Sequence, residues 1–375
     1  MTNESDSRLK VSDYSKSERY MAFLMQALPS LQQQAIFQPH EKINKYQRSA
    51  ALERTLDKVP NARGLFLEFG VYKGATINLT ARRCPRRRIY GFDSFAGFPD
   101  DGRPDWQQDF STAGLPRVPS NVTLIKGWFS DTLQPFLDQT PDPIDFINID
   151  CDIYSSTKFV FDALLDAGRL TPGVVIFFDE IINHRTYLWN EMLAFFEMLE
   201  KSGLGFEWVA THQYVRLIPD SIRMLKSGAH PTWPEDLASG YRQQASIRLT
   251  DRGMDYGDLL WNPVTQKLVR TLAREFDALT LRRDQSDEMW GKADQEGEVA
   301  LLNAPSQPAK QEAKESAAPN TWVTAAHFEK RLINFILKKI LSASKYRKLL
   351  EAPEFFFKDS RKIGSKLLAS IYFLR

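Results

Sequence analysis

Leu65-Phe66-Leu67-Glu68-Phe69-Gly70-Val71-Tyr72-Lys73-Gly74 decides the fold. Leu65–Phe69 is a short, nearly continuous apolar run, the pattern of a strand buried on both faces of a parallel sheet. Two glycines follow at once, and Ala75–Arg82 has helical character. Glycines at a strand-to-helix turn let the backbone approach a ligand closely, and the helix N-terminus beyond offers unpaired N–H groups.

Downstream, the same grammar repeats. Apolar runs at Arg88–Phe92, Val122–Ile125, Ile144–Ile149 and Val174–Phe178 alternate with helical stretches at Asp131–Leu137 and Thr157–Ala167. Such alternation predicts an α/β fold with a doubly wound, mostly parallel sheet. Tyr187–Glu200 reads as a further helix, and Phe206–Thr211 with Tyr214–Ile218 as a closing antiparallel pair that turns at Thr211-His212-Gln213. Upstream, 17–58 has helical spacing at Tyr20, Phe23, Leu24, Leu28 and Leu31, and Pro29 and Pro39 divide it into several short helices.

The expected organisation is an N-terminal helical region over 1–58, a core domain over 59–220 and a helical or irregular extension over 221–291. A flexible linker rich in Ala, Pro, Gln, Glu and Lys follows over 292–320. The chain closes on a basic amphipathic tail over 321–375, where twelve basic residues stand against four acidic ones between Phe328 and Arg375.

The 375 residues carry 43% hydrophobic and 26% charged residues, ordinary for a globular protein. Two cysteines, Cys84 and Cys151, have no CxxC partner, which excludes a disulfide framework and fits reduced thiols. The first twenty residues lack a signal peptide's apolar core, and no run is long enough to span a bilayer. A cytoplasmic protein is expected, held at the inner membrane face if the basic tail meets anionic lipid. Nucleic acid is not an expected partner, because no nucleic-acid-binding fold accompanies the basic charge.

Glu68 changes the meaning of the glycine turn. The spacing is E-x-G-x-x-x-G, unlike the G-x-G-x-x-G of a dinucleotide pyrophosphate site. A leading acid repels pyrophosphate and suits a cationic or hydroxyl-bearing group, such as the amino acid moiety of S-adenosylmethionine (SAM). Asp93 ends the second strand nineteen residues beyond Gly74, where it can accept hydrogen bonds from ribose hydroxyls. Asp150 and Asp152 follow the fourth strand, and Asp179 and Glu180 the fifth. Four carboxylates at adjacent strand ends repel one another unless a positive group sits among them, and a hard divalent cation such as Mg²⁺ would answer.

Four segments together resemble the macrocin, mycinamicin and novobiocin type of class I SAM-dependent sugar O-methyltransferases. They are Glu68–Gly74, Asp93-Ser94-Phe95-Ala96-Gly97-Phe98-Pro99, Gly127-Trp128-Phe129-Ser130-Asp131-Thr132-Leu133, and Asp150-Cys151-Asp152-Ile153-Tyr154-Ser155-Ser156-Thr157. The resemblance covers about 60–220 and implies a seven-stranded sheet with SAM at its strand ends. By it, Glu68, Gly70, Tyr72 and Gly74 line the methionine end of SAM. Asp93 and Ser94 hold the ribose, and Gly127, Trp128 and Phe129 flank the adenine. Asp150 joins the cofactor site, and Asp150, Asp179 and Glu180 match the metal ligands. Asp152 matches the general base that deprotonates a sugar hydroxyl. Two departures stand out: Val174 where the family has a second glycine after Gly173, and Asp179-Glu180-Ile181 where it has Asp-Asp-Tyr.

Phe98, Pro99, Trp106 and Phe110, with Gly102, form a long insertion placed to cover the site as a lid, while His184 and the other histidines have no assigned role. A segment at Arg347–Arg361 looks like one found in bacterial surface-polysaccharide enzymes, which points to a glycan acceptor. A homo-oligomer is compatible with all of this. Two other function classes stay open on sequence alone: an NAD-dependent sugar-modifying oxidoreductase, and a catalytically silent scaffold in a glycan-assembly complex.

Overall fold

A computed structural model describes residues 10–34, 36–37, 50–60, 63–99, 110–183, 186–211, 218–227 and 243–285. The linker, the basic tail, His184, His212, Gly102 and Trp106 lie outside the described residues. A helix α1 (Lys16–Gln34), a two-residue strand β1 (Ile36–Phe37) and a helix α2 (Ala50–Leu56) precede the glycine turn. The alternation then runs β2 (Leu65–Phe69), α3 (Ala75–Arg83), β3 (Ile89–Asp93), β4 (Val122–Lys126), α4 (Phe129–Gln139), β5 (Ile144–Ile149), α5 (Tyr154–Asp166) and β6 (Val175–Phe178). It closes with α6 (Glu191–Ser202), β7 (Gly205–Thr211), α7 (Ile218–Ser227), β8 (Ala245–Thr250), α8 (Gly257–Trp261) and α9 (Pro263–Gln285).

The described residues divide into two units, 10–22 with 256–276, and 23–255 with 277–285. In the smaller unit, the Tyr14 hydroxyl donates to the Leu260 carbonyl at 3.2 Å and accepts from Gln266 Nε2 at 3.0 Å. There Tyr20 meets Phe276 edge-on, with ring centroids 5.7 Å apart.

The larger unit is built on one sheet in the order β1-β7-β8-β6-β5-β2-β3-β4. Strands β2 to β6 are mutually parallel, and β8 runs antiparallel between β6 and β7. The seven strands expected are β2 to β8, with two-residue β1 added parallel to β7 at the edge. Strand order reverses at β2, whose neighbours are β3 on one side and β5 on the other, so the crevice beyond the ends of β2 and β5 is the switch point. Every residue of β2 and β6 is buried, which explains why β6 reads as an unbroken apolar run and β2 as one interrupted only by Glu68.

Sequence and structure part in two places. The antiparallel partner of β7 is Ala245–Thr250, not Tyr214–Ile218; Ile218 opens α7, and 212–217 lie outside the described residues. The sheet therefore draws its last strand from the stretch expected to be a helical extension. Pro29, expected to break a helix, sits inside α1. Burial holds that helix together: Phe23, Leu24, Leu28 and Leu31 are closed from solvent, Phe23 packs against Phe196 at 5.2 Å, and Trp208 Nε1 donates to the Ala27 carbonyl at 2.9 Å. Tertiary packing of an apolar face outweighs the one helical hydrogen bond a proline removes.

At the N-terminal ends of the strands, Asp145 pins the sheet. Its carboxylate accepts from the Gly64 N–H at 2.8 Å and pairs with Arg87 at 2.9 Å, while the Arg87 guanidinium lies over the Phe66 ring. That end is a clamp, and the opposite end is left for the site.

Candidate functional site at the strand ends

Chain strain collects at one end of the sheet. Four described residues other than glycine have positive φ: Tyr72 (47°), Phe95 (53°), Asp152 (61°) and Asn183 (70°). They follow β2, β3, β5 and β6 in turn, all at the C-terminal ends of parallel strands. Left-handed backbone costs such residues free energy and persists where surrounding structure enforces it, most often at functional sites.

Gly70 sits at the centre of this end. Its φ is +91°, and a Cβ there would lie 1.8 Å from the Asp150 carbonyl oxygen, so β2 and β5 meet too closely for any other residue. The ends interlock through the backbone: Asp150 N–H donates to the Phe69 carbonyl, Gly70 N–H to Phe92, Asp179 N–H to Ile149 and Gly127 N–H to Asp93. Gly74, at φ +78°, is the N-cap of α3.

Asp93 does more local work than expected. Its Oδ2 accepts from the Val71 and Tyr72 N–H groups at 2.8 and 2.7 Å, and its Oδ1 accepts from Phe95 N–H at 2.6 Å. One carboxylate thus fastens the glycine turn to the loop after β3. The Ser94 hydroxyl is also turned inward, donating to the Gly97 carbonyl and accepting from Ala96 N–H. On the neighbouring loop Trp128 is 37% exposed, while Phe129 packs edge-on against Phe69 at 5.5 Å. Gly127 is strained at φ +143°. Phe110 bridges Tyr72 and Phe98 in edge contacts at 5.4 and 5.2 Å, and Ala96 pairs with Ser111. Both ends of the insertion are thereby anchored beside the glycine turn.

Glu68 is buried beneath that turn, 1% exposed. Its Oε1 accepts from the Thr76 hydroxyl at 2.7 Å, inside the first turn of α3. Desolvation pushes its pKa up from 4.5 to about 7; Asn148, Thr76 and the Ile77 amide pull the other way, and Asp179 adds to the rise.

The acidic cluster departs from expectation. Asp150, Asp152 and Asp179 gather around Glu191, a fully buried residue opening α6 that sequence did not single out. Glu191 Oε2 accepts from the Glu180 N–H at 3.2 Å, and its Oε1 has no partner. Burial first, then those three acids, raise its pKa well above the usual carboxyl value. Asp179 Oδ1 accepts a short hydrogen bond from the side chain of buried Gln244, just before β8.

The set Asp150, Asp179 and Glu180 that the resemblance implied as metal ligands finds no support in this arrangement. Among the described residues no three His, Cys, Asp or Glu side chains are placed to hold a metal ion. Gln244 engages the Asp179 carboxylate, and Glu191 lies among the same acids.

Residues 67–181 match a family model described as "Methyltransferase domain". No curated protein matches the chain. Among solved structures, the calicheamicin methyltransferase CalS11 is 22% identical, with 65% of this chain and 98% of that one covered and a TM-score of 0.37. The SAH-bound Podospora anserina methyltransferase PaMTH1 is 14% identical, covering 64% and 89% at a TM-score of 0.30. Human N-acetylserotonin methyltransferase, in complex with SAM, is 16% identical, covering 63% and 57% at a TM-score of 0.25.

The stretch that matches a methyltransferase domain runs from β2 to just beyond β6 and so contains the switch point. An antiparallel β8 inserted between β6 and β7 sets this sheet apart from the 3-2-1-4-5-6 order of dinucleotide-binding folds. Among the described residues, no helix is long and apolar enough to cross a membrane.

Proposed function

We propose that the domain transfers the SAM methyl group to a hydroxyl oxygen, with a sugar as acceptor and Asp152 as the general base. The observation that carries this is Asp152 itself. It sits at φ +61° between β5 and α5, half-buried at the strand ends, one residue beyond Cys151 and two beyond Asp150. A strained acid at the mouth of the switch point is suited to take a proton there.

SAM then lies across the switch point. The Gly70–Gly74 turn and Glu68 take the methionine end, Asp93 and Ser94 the ribose side, and Trp128 and Phe129 the adenine. The hydroxyl bonds of Ser94 and the three N–H groups on Asp93 fix these loops, and the second lone pair of Asp93 Oδ1 remains for a ribose hydroxyl. The sulfonium methyl is already activated, so alignment and deprotonation are what the protein supplies. The acceptor oxygen attacks the methyl carbon in line and the S–CH₃ bond breaks with its electron pair going to sulfur. The hydroxyl proton passes to the Asp152 carboxylate. Products are the methyl ether and S-adenosylhomocysteine.

Mg²⁺ assistance finds no three-acid site among the described residues, and no step runs through a cation. A surface glycan acceptor, and inner-membrane recruitment by the basic tail, rest on sequence alone. The test is a panel of nucleotide sugars and glycan fragments with methyl-labelled SAM, in Mg²⁺ and in EDTA, for the wild type and Asp152→Asn. Label on a sugar oxygen, lost in the variant while SAM still binds, supports the reading. Label on nitrogen or carbon, or full activity in the variant, removes it.

A further inference from the structure

Asn148 is a fully buried polar residue next to the C-terminal end of β5, and neither its Nδ2 nor its Oδ1 meets a partner in full hydrogen-bond geometry. An amide so placed costs stability unless it serves some other state of the protein. Its neighbours narrow the choice. Across the sheet it pairs with Glu68 on β2 and with Phe177 on β6. Residues opposite one another on paired strands share a face, so Asn148 lies between an acid and an aromatic ring. Glu68 carries the complementary vacancy: Oε1 is served by Thr76, whereas Oε2 is buried and without a partner. The amide faces the carboxyl closely enough to draw the Glu68 pKa down, although the pair falls short of full hydrogen-bond geometry.

We propose that Asn148 is a positioning residue for Glu68: its Nδ2–H turns onto Glu68 Oε2 and fixes the carboxylate beneath the cationic methionine end of bound SAM. This rests on the assignment of Glu68–Gly74 to that end of the cofactor. The arriving ammonium group favours the ionised acid, and a desolvated carboxylate needs a donor on each oxygen. Thr76 supplies one and Asn148 the other. Asp179 is the further acid acting on Glu68, and it opposes ionisation. Phe177, the other neighbour of Asn148, offers no competing polar group.

The experiment measures SAM affinity by calorimetry from pH 5.5 to 8.5 on the full chain, as wild type, Asn148→Leu, Asn148→Ser and Glu68→Gln. The ligand's own titration is common to all four proteins and cancels. Methylthioadenosine, which lacks the amino acid end, serves as the second probe. In both Asn148 variants, SAM binding at pH 7 should weaken roughly tenfold and its pH midpoint should rise by about one unit, with methylthioadenosine affinity unchanged. Asn148→Leu removes an unpaired buried amide and should keep the fold; Asn148→Ser tests the same point if the larger side chain does not fit. An unmoved midpoint in folded variants, with SAM binding weakened by Glu68→Gln, overturns the role of Asn148 alone. SAM binding indifferent to Glu68→Gln overturns the assignment of Glu68 as well. Equal losses for SAM and methylthioadenosine would mark Asn148 as structural and also overturn the proposal.

Discussion

Replacing Glu68 with glutamine should stabilise the ligand-free protein by an amount that depends on pH. The carboxyl is buried, and its pKa stands at about 7 in the folded chain against 4.5 ordinarily. The folded state therefore holds a proton that the unfolded state releases between these values. Stability from this group is greatest below pH 4.5, declines as pH rises toward 7, and is flat above. A gap of two and a half units corresponds to about 3 kcal/mol once fully developed. Glutamine cannot ionise and keeps an oxygen for the Thr76 hydroxyl, so it escapes the penalty. In urea unfolding without ligand, wild type and Glu68→Gln should differ little at pH 5, and the variant should gain roughly 2–3 kcal/mol on the wild type by pH 8. A difference that stays constant with pH, or that favours the wild type at pH 8, refutes the argument. Glu68 would then be held as a carboxylate by donors the buried setting does not show.

Gly70→Ala should lose at least about 3 kcal/mol of stability in thermal unfolding, because its Cβ would collide with the Asp150 carbonyl at a backbone angle only glycine tolerates. Asp93→Ala releases three backbone N–H groups, and a loss of about 3 kcal/mol is expected together with weaker SAM binding by calorimetry. Burial disfavours the charged form of Glu191, so the unfolding temperature of Glu191→Gln at pH 7 should match or exceed that of the wild type. A marked drop would show that Glu191 is charged.

The parallel core was legible because strands buried on both faces leave a plain mark: Leu65–Phe69, Ile144–Ile149 and Val175–Phe178 are apolar runs of strand length. The closing strand was not, since Ala245–Thr250 is a short antiparallel segment interrupted by Arg248, and only its place in the sheet separates it from a loop. Pro29 misled for a related reason, because local propensity yields to the burial of Phe23, Leu28 and Leu31. At the site, sequence located strand-end acids along the chain but not where their carboxylates aim. Asp150, Asp152 and Asp179 do gather, yet around Glu191 and Gln244, whose places at a helix start and before an edge-side strand carry no motif. Glu191 was visible only as part of the helical stretch Tyr187–Glu200.

The central claim is that SAM binds where β2 and β5 meet. The most direct measurement is calorimetric titration of SAM into the full chain and into a Gly70→Ala variant shown to be folded at the assay temperature. One-to-one binding to the wild type, with affinity reduced at least tenfold in the variant, is the expected result. No heat with SAM, or equal affinity in both proteins, would contradict the account.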